Sequence, residues 1–362
     1  MPSNVKSLSP NIKKALHEGV VIPAHPLALN SERKLDRRRQ YALTRYYIAA
    51  GAGGIAVGVH NTQLAIREKG MYEDVLRISI EAIEDAKPQR PIVKVAGVLL
   101  SSPEKAVKEA EIAANLGYDL AMVMPIGTKY GENELLNMIK AVSEIIPVFG
   151  FYPQVAIGGK VFSFKFWREL VEIPNLYAIK IAPFNRYYTI EVVRAVAASS
   201  RRDDIALYTG NDDNIIIDLI TPFKVKICGK KFIKWIVGGL LGQWSVWTKF
   251  AVNLLNRIKK LRKKIEKGEV KSIPLNLLKL HVEYTDANAA IFDVKNNFRG
   301  LYAGINEILR RQGLLEGRWT LDPKADLSPG QLEEIERVLR EYPHLHEEDD
   351  KFIKEHISEW LP

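Results

Sequence analysis

A repeated alternation constrains this chain most. Short apolar runs, each followed by an amphipathic stretch, succeed one another eight times within about 250 residues. The spacing predicts strands over 19–24, 55–59, 91–96, 119–124, 147–152, 174–182, 205–209 and 232–237. Between and after them it predicts helices over 35–50, 73–85, 103–116, 132–145, 164–172, 189–199, 214–220 and 243–267. Eight such units in series point to a closed (β/α)8 TIM barrel, because an open doubly wound sheet needs fewer strands. Residues 275–290, 296–312, 331–340 and 350–360 also read as helices. The expected organisation is a barrel with a short N-terminal lead-in over 1–267 and a C-terminal helical region over 268–362 packed on it.

Composition removes several alternatives. At 47% hydrophobic and 26% charged residues the chain has the balance of a globular protein, so disorder is not the default. A single cysteine, Cys228, excludes an intramolecular disulfide. The most apolar window, 232–247, is interrupted by Lys234, Gly238, Gly239, Gly242 and Gln243, and no signal-peptide pattern opens the chain. A soluble, cytoplasmic protein with no membrane partner is expected. The net charge of +9 is concentrated locally: 249–267 carries eight basic residues against one acid, Glu266, and Lys224, Lys226, Lys230, Lys231 and Lys234 add five more. Without an aromatic or Gly-rich nucleic-acid motif beside it, this surplus reads as a solvated helix face and loop rather than a nucleic-acid site. The acidic run 347–350 reads as a helix start rather than a metal site.

Within the sixth strand sits a lysine. On strand alternation Leu176, Ala178, Lys180 and Ala182 share one face, so Lys180 stands among small residues. An amine desolvated there loses stability in its charged form and becomes a usable nucleophile, which is the logic of a Schiff-base lysine. A strand-end lysine snorkelling to solvent is the alternative. Lys94, in another apolar strand, is the rival. The polar residues at strand C-terminal ends, where such barrels hold their chemistry, include His60 on the second and Tyr152 on the fifth.

Four motifs in order carry a resemblance. Ile22, Pro23, Ala24, His25, Pro26 and Leu27 form the first; Ala50, Gly51, Ala52, Gly53, Gly54 and Ile55 the second. Ile173, Pro174 and Asn175 lead through Ile179 to Lys180 in the third, and Thr209, Gly210, Asn211 and Asp212 close the fourth. The sequence resembles the dihydrodipicolinate synthase / N-acetylneuraminate lyase family over roughly 19–342, as a divergent member. The resemblance implies that Lys180 condenses with the keto group of a 2-oxo acid such as pyruvate, and that the iminium serves aldol cleavage, condensation or dehydration. It implies neither cofactor nor metal; His25 and His60 lack a third ligand with suitable spacing. The expected partners are a small-molecule 2-oxo acid and an aldehyde, in a homo-oligomer, dimer or tetramer.

Two departures stand out. The carboxylate-holding Gly-Thr-Thr-Gly-Glu turn is replaced by Gly58, Val59, His60, Asn61, Thr62 and Gln63, so carboxylate binding is assigned to His60, Asn61 and Thr62. In the fifth strand an ungapped match puts Phe151 at the proton-relaying tyrosine, whereas alternation with Gly150 turns Tyr152 inward, and Tyr152 is taken as the relay. Where the synthase branch has an arginine for a second carboxylate, this chain has Val155, Ala156 and Ile157, which argues against dihydrodipicolinate synthesis itself. Asn211, Asp212 and Arg186 are further substrate-binding candidates; helix capping for the first two and a surface cation for the third are the plainer readings. His60 is read as a general acid/base or a barrel-end histidine holding the turn. The leading expectation is a class I lyase, and the alternative is a catalytically idle barrel kept for ligand binding or regulation.

Overall fold

The structure, a computed structural model, describes residues 7–361; the start of the lead-in and the last residue lie outside the described residues. In chain order the first half comprises α1 (Pro10–Glu18), β1 (Val21–Pro23), α2 (Arg37–Ala49), β2 (Gly54–Val57), α3 (Tyr72–Ala86), β3 (Val93–Leu99), α4 (Pro103–Asn115), β4 (Leu120–Met124), α5 (Glu132–Ser143) and β5 (Val148–Pro153). Then follow α6 (Phe164–Leu170), β6 (Leu176–Ala182), α7 (Arg186–Ala197), β7 (Ala206–Thr209), α8 (Ile215–Ile220), β8 (Phe223–Ile227), β9 (Lys230–Lys234), β10 (Ile236–Leu241) and α9 (Thr248–Glu266). The C-terminal part contains α10 (Leu275–Phe292), α11 (Leu301–Arg311), α12 (Gln331–Glu341) and α13 (Glu347–Trp360).

Eight parallel strands run in the order β1-β10-β7-β6-β5-β4-β3-β2. A parallel bridge between Ala24 and Ala56 joins the two ends, where the His25 N–H donates to the Ala56 carbonyl at 2.8 Å. The sheet is thus a closed (β/α)8 barrel, followed by helices. Its strands are buried on both faces, because helices cover the outside and side chains fill the inside, which is why they read as apolar runs.

The two faces form separate cores. Ile22, Ala56, Val95, Met122, Phe149, Phe151, Ala178 and Tyr208 belong to the interior. Ile55, Val57, Ala121, Tyr152, Ile179 and Ile181 face the helices. From α1, Ile12 and Leu16 enter the interior core from the N-terminal end, each contributing roughly 1.5–3 kcal/mol of burial. The Tyr208 hydroxyl fastens that plug by donating to the Leu16 carbonyl at 2.9 Å. Proline at N1 and the Ser9 cap explain where α1 begins.

One strand differs from expectation. The eighth barrel strand is Ile236–Leu241, and Phe232 and Ile233 lie instead in an antiparallel hairpin, β8–β9, that turns at Cys228 and Gly229. Four of its five lysines are exposed, and Lys234 donates to the Arg202 carbonyl. Along α9, Lys260, Lys263, Lys264 and Lys267 are exposed, but Arg262 is buried and donates to the carbonyls of Leu219 and Ile236. Part of the basic surplus is therefore a brace within the fold.

The C-terminal helices share the outer core of the barrel. Asp349 on α13 is buried and caps α9, accepting from the N–H groups of Lys249 at 2.8 Å and Phe250 at 2.9 Å, and from the Tyr46 hydroxyl at 2.7 Å. The acidic run is a helix start, but this member of it is not solvated. α10 reaches the loops at the C-terminal end of the barrel: Asn288 donates to Gln243 at 2.9 Å, and Thr285 to the Asp213 carbonyl at 3.2 Å. Among the described residues no helix is long and apolar enough to cross a membrane.

Candidate active site

Lys180 occupies the C-terminal half of β6, opposite Phe151 of β5 and Tyr208 of β7. Ala178 and Ala182 share the interior with it, while Leu176 joins the outer core because the β5–β6 register shifts between Val148 and Phe149. The lysine is 8% exposed, and its Nζ lies 4.6 Å from the centroid of the Phe151 ring. Gly210, after β7, makes room for it: a Cβ there would lie 2.5 Å from Lys180 Cε. Burial pushes the amine down to about 8, against the pull of the nearby Asp212 carboxylate. Lys94, by contrast, sits near the start of β3, with its Nζ 3.9 Å from Asp119.

Asp212 is the buried acid facing that amine. Burial pushes its carboxyl up to about 7, opposed by the hydrogen bond from the Gln243 N–H at 2.9 Å and by the charge of Lys180. Each group thus favours the charged form of the other, against the burial that disfavours both charges. Asn211 has a different task. Its Oδ1 accepts from the Phe184 N–H at 3.0 Å, and its Nδ2 donates to Asp218 at 2.9 Å and Thr189 at 3.1 Å. Arg186 is likewise engaged, donating to Asp218 Oδ1 at 2.5 Å, and Thr209 donates to the same carboxylate at 2.7 Å. Neither Asn211 nor Asp212 caps α8; they tie the loops after β6, β7 and β10 together.

The turn after β2 is a single 3-10 turn over His60–Thr62. The Thr62 hydroxyl donates to the His25 carbonyl at 2.7 Å and is buried, so it braces β1 against the turn. Asn61 donates to the Ser245 hydroxyl at 3.3 Å. His60 keeps accessible surface, and its Nε2 lies 3.1 Å from the Tyr302 hydroxyl of α11. Burial, then the charge of Lys180, push this imidazole down to about 4. It is neutral at pH 7, with one ring nitrogen a donor and the other an acceptor, and its Nε2 shares a hydrogen bond with the Tyr302 hydroxyl whose direction the tautomer sets.

Tyr152 corrects the alternation argument. Its ring lies in the outer core, 4.8 Å from Trp167 and 5.6 Å from Phe162 between centroids, so it faces the helices and not Lys180. Gly150 is on that same outer face, where a Cβ would meet Ile179 and Leu170. Phe151 is the interior residue of the pair.

No protein-family model matches the chain. It is 25% identical over 197 residues to N-acetylneuraminate lyase of Citrobacter koseri, a match covering 53% of this chain and 62% of that enzyme. It is also 22% identical over 185 residues to 4-hydroxy-tetrahydrodipicolinate synthase of Clostridium novyi, covering 51% and 59%. The matches thus span less than two thirds of either relative. The chain is thus similar, at low identity, to enzymes of the dihydrodipicolinate synthase / N-acetylneuraminate lyase family. Its fold superposes on solved structures of both kinds of enzyme. The chloride-inhibited dihydrodipicolinate synthase of Acinetobacter baumannii, complexed with pyruvate, gives a TM-score of 0.70 at 17% identity, over 89% of this chain and 98% of that one. N-acetylneuraminate lyase of Fusobacterium nucleatum, also complexed with pyruvate, gives 0.68 at 17% identity, over 91% and 99%.

The departures from that likeness are local. Val59 and Phe151, at two positions where the resemblance calls for hydroxyls, belong to the apolar interior. Tyr302 brings a hydroxyl to the barrel mouth from α11, far along the chain. Sequence reading missed Tyr302, Phe184 and Phe298. Only the position of Arg186, soon after the lysine strand, marked this loop.

Proposed function

We propose that the chain is a class I lyase that forms an imine between Lys180 and a 2-oxo acid such as pyruvate. The observation that carries the reading is Lys180 itself: a buried amine, lowered toward neutrality, inside a closed barrel at the end where βα loops gather. The neutral amine adds to the keto carbon, and the carbinolamine loses its oxygen as water. Asp212, raised to about 7 beside the lysine, is suited to supply that proton. The iminium then accepts the electrons released when a C–H or C–C bond at the adjacent carbon breaks. The carboxylate is assigned to the turn at His60 and Asn61, since the Thr62 hydroxyl is occupied by the His25 carbonyl.

Proton transfer at the adjacent carbon is assigned to the Tyr302–His60 pair, since the interior position of the fifth strand holds Phe151 and Tyr152 faces the helices. The segment Val155, Ala156 and Ile157 offers no cation for a second carboxylate, so the reading excludes dihydrodipicolinate synthesis as the reaction. A catalytically idle, ligand-binding barrel is the second reading, favoured by Phe151 at the tyrosine position. Incubation with pyruvate, reduction with borohydride and intact mass measurement separate the two. A stable adduct in the wild-type chain supports the lyase; its absence at saturating pyruvate leaves the idle barrel.

A further inference from the structure

The loops around Lys180 present an apolar surface to whatever lies beyond the imine. Phe151 forms part of the interior core beneath the lysine Nζ. Leu64 after β2, Ile126 after β4, Ile157 after β5 and Phe184 after β6 pack against that same core from the C-terminal end of the barrel. Phe184 then meets Phe298, from the segment between α10 and α11, edge to face with ring centroids 6.0 Å apart.

Both phenylalanines have left-handed backbones, with φ of 51° at Phe184 and 63° at Phe298. Bulky residues rarely adopt that conformation, and it persists only where surrounding bonds enforce it. Here Asn211 accepts from the Phe184 N–H at 3.0 Å, and the Asp293 carbonyl accepts from the Phe298 N–H at 3.0 Å. The two rings are thus held against each other by strained backbone from distant parts of the chain, yet each keeps accessible surface. Three cations on neighbouring loops are held by protein groups: Arg67 by Glu109, Lys160 by the Tyr130 carbonyl, and Arg186 by Asp218, while Arg299, next to Phe298, is exposed to solvent.

We infer that the group carried beyond the reacting carbon of the 2-oxo acid is apolar and uncharged, an aryl or branched alkyl group seated against Phe184, Phe298 and Ile157. In the condensation direction the enamine carbon bonds to the carbonyl carbon of an apolar aldehyde. The carbonyl π pair passes to its oxygen, which takes a proton, and water hydrolyses the iminium to free Lys180 and a 4-hydroxy-2-oxo acid. The assignment of the reacting carbon rests on the Lys180 imine reading; the apolar seat does not.

Calorimetric titration of the full-length chain with benzylpyruvate and with 2-oxoglutarate tests the seat, in wild type and in Lys180→Ala. Benzylpyruvate is expected to bind at least about tenfold tighter in both, the scale of discrimination an apolar pocket provides. Phe298→Ala is expected to abolish most of that preference and Phe298→Leu to keep most of it; Phe184→Ala on the barrel side gives the same readout should Phe298→Ala fold poorly. Equal or tighter binding of 2-oxoglutarate, or a preference unchanged in the folded alanine variants, overturns the inference. Preference without a borohydride-trapped pyruvate adduct keeps the seat and removes the imine; an adduct without preference does the reverse.

Discussion

Replacing Gly210 by alanine is the sharpest steric test of the lysine's setting. The added methyl carbon would lie 2.5 Å from Lys180 Cε, 2.9 Å from Lys180 Cγ and 2.7 Å from Ala182 Cβ. Carbon atoms rest at about 3.5–4.0 Å, so each contact is short by about 1 Å. Ala182 Cβ is fixed to the strand and cannot turn aside, so the backbone at 210 must shift and the lysine chain must yield with it. A displacement of about 1 Å at a reacting group costs on the order of 10²-fold in rate, while overpacking of this kind destabilises by about 1–3 kcal/mol. The rate of pyruvate adduct formation under borohydride, followed by intact mass, should therefore fall about a hundredfold by the same reasoning. Circular dichroism should still report a folded barrel, with a modest loss in urea midpoint. Gly131→Ala is the control, because its Cβ would meet nothing nearer than Glu134 Oε2 at 3.4 Å. Adduct formation at the wild-type rate in Gly210→Ala would refute the placement of Lys180.

Three further outcomes follow from the site. Adduct formation requires neutral amine, so its rate should rise with pH through about 8; in Asp212→Asn the ammonium loses a stabilising negative charge and the inflection should move to lower pH, as a pH–rate series will show. Tyr302→Phe should leave adduct trapping intact but slow deuterium exchange into the pyruvate methyl group by about 10²-fold or more, measured by proton NMR, the size of a lost general acid/base. Tyr152→Phe should leave both rates unchanged, because that ring packs on Trp167 and Phe162 outside the barrel; a large loss in exchange would restore Tyr152 as the relay.

The barrel was legible because strands buried on both faces must be apolar and their helices amphipathic, and those patterns survive in a single chain. The eighth strand was misplaced for a physical reason. Gly238 and Gly239 look like breakers, but a Cβ at Gly238 would meet Val20 O at 2.6 Å and one at Gly239 would meet Trp244 at 2.7 Å, so the strand needs them. The neighbouring Phe232 and Ile233 belong to a hairpin that borrows the same composition. Tyr152 was turned inward by treating Gly150 as an interior residue, when that glycine accommodates Leu170 and Ile179 on the outer face.

Around the candidate site, the buried placement of Lys180 was readable because it sits within an apolar strand; its imine-forming role is a proposal. Thr62, Asn211 and Arg186 were not separable from ligand-binding groups, since a polar side chain at a strand end has the same sequence signature whether it holds a substrate or, as here, a neighbouring loop. Tyr302 and Phe298 reach the mouth from beyond the barrel, and no local periodicity encodes a contact across 242 residues.

The proposed chemistry depends on one covalent bond, between Lys180 Nζ and the keto carbon of the 2-oxo acid. Borohydride reduction of the chain with pyruvate, followed by proteolysis and mass mapping, is predicted to place a single reduced adduct on Lys180, absent in Lys180→Ala. An adduct on Lys94 or another lysine, or none in the wild-type chain, would contradict it.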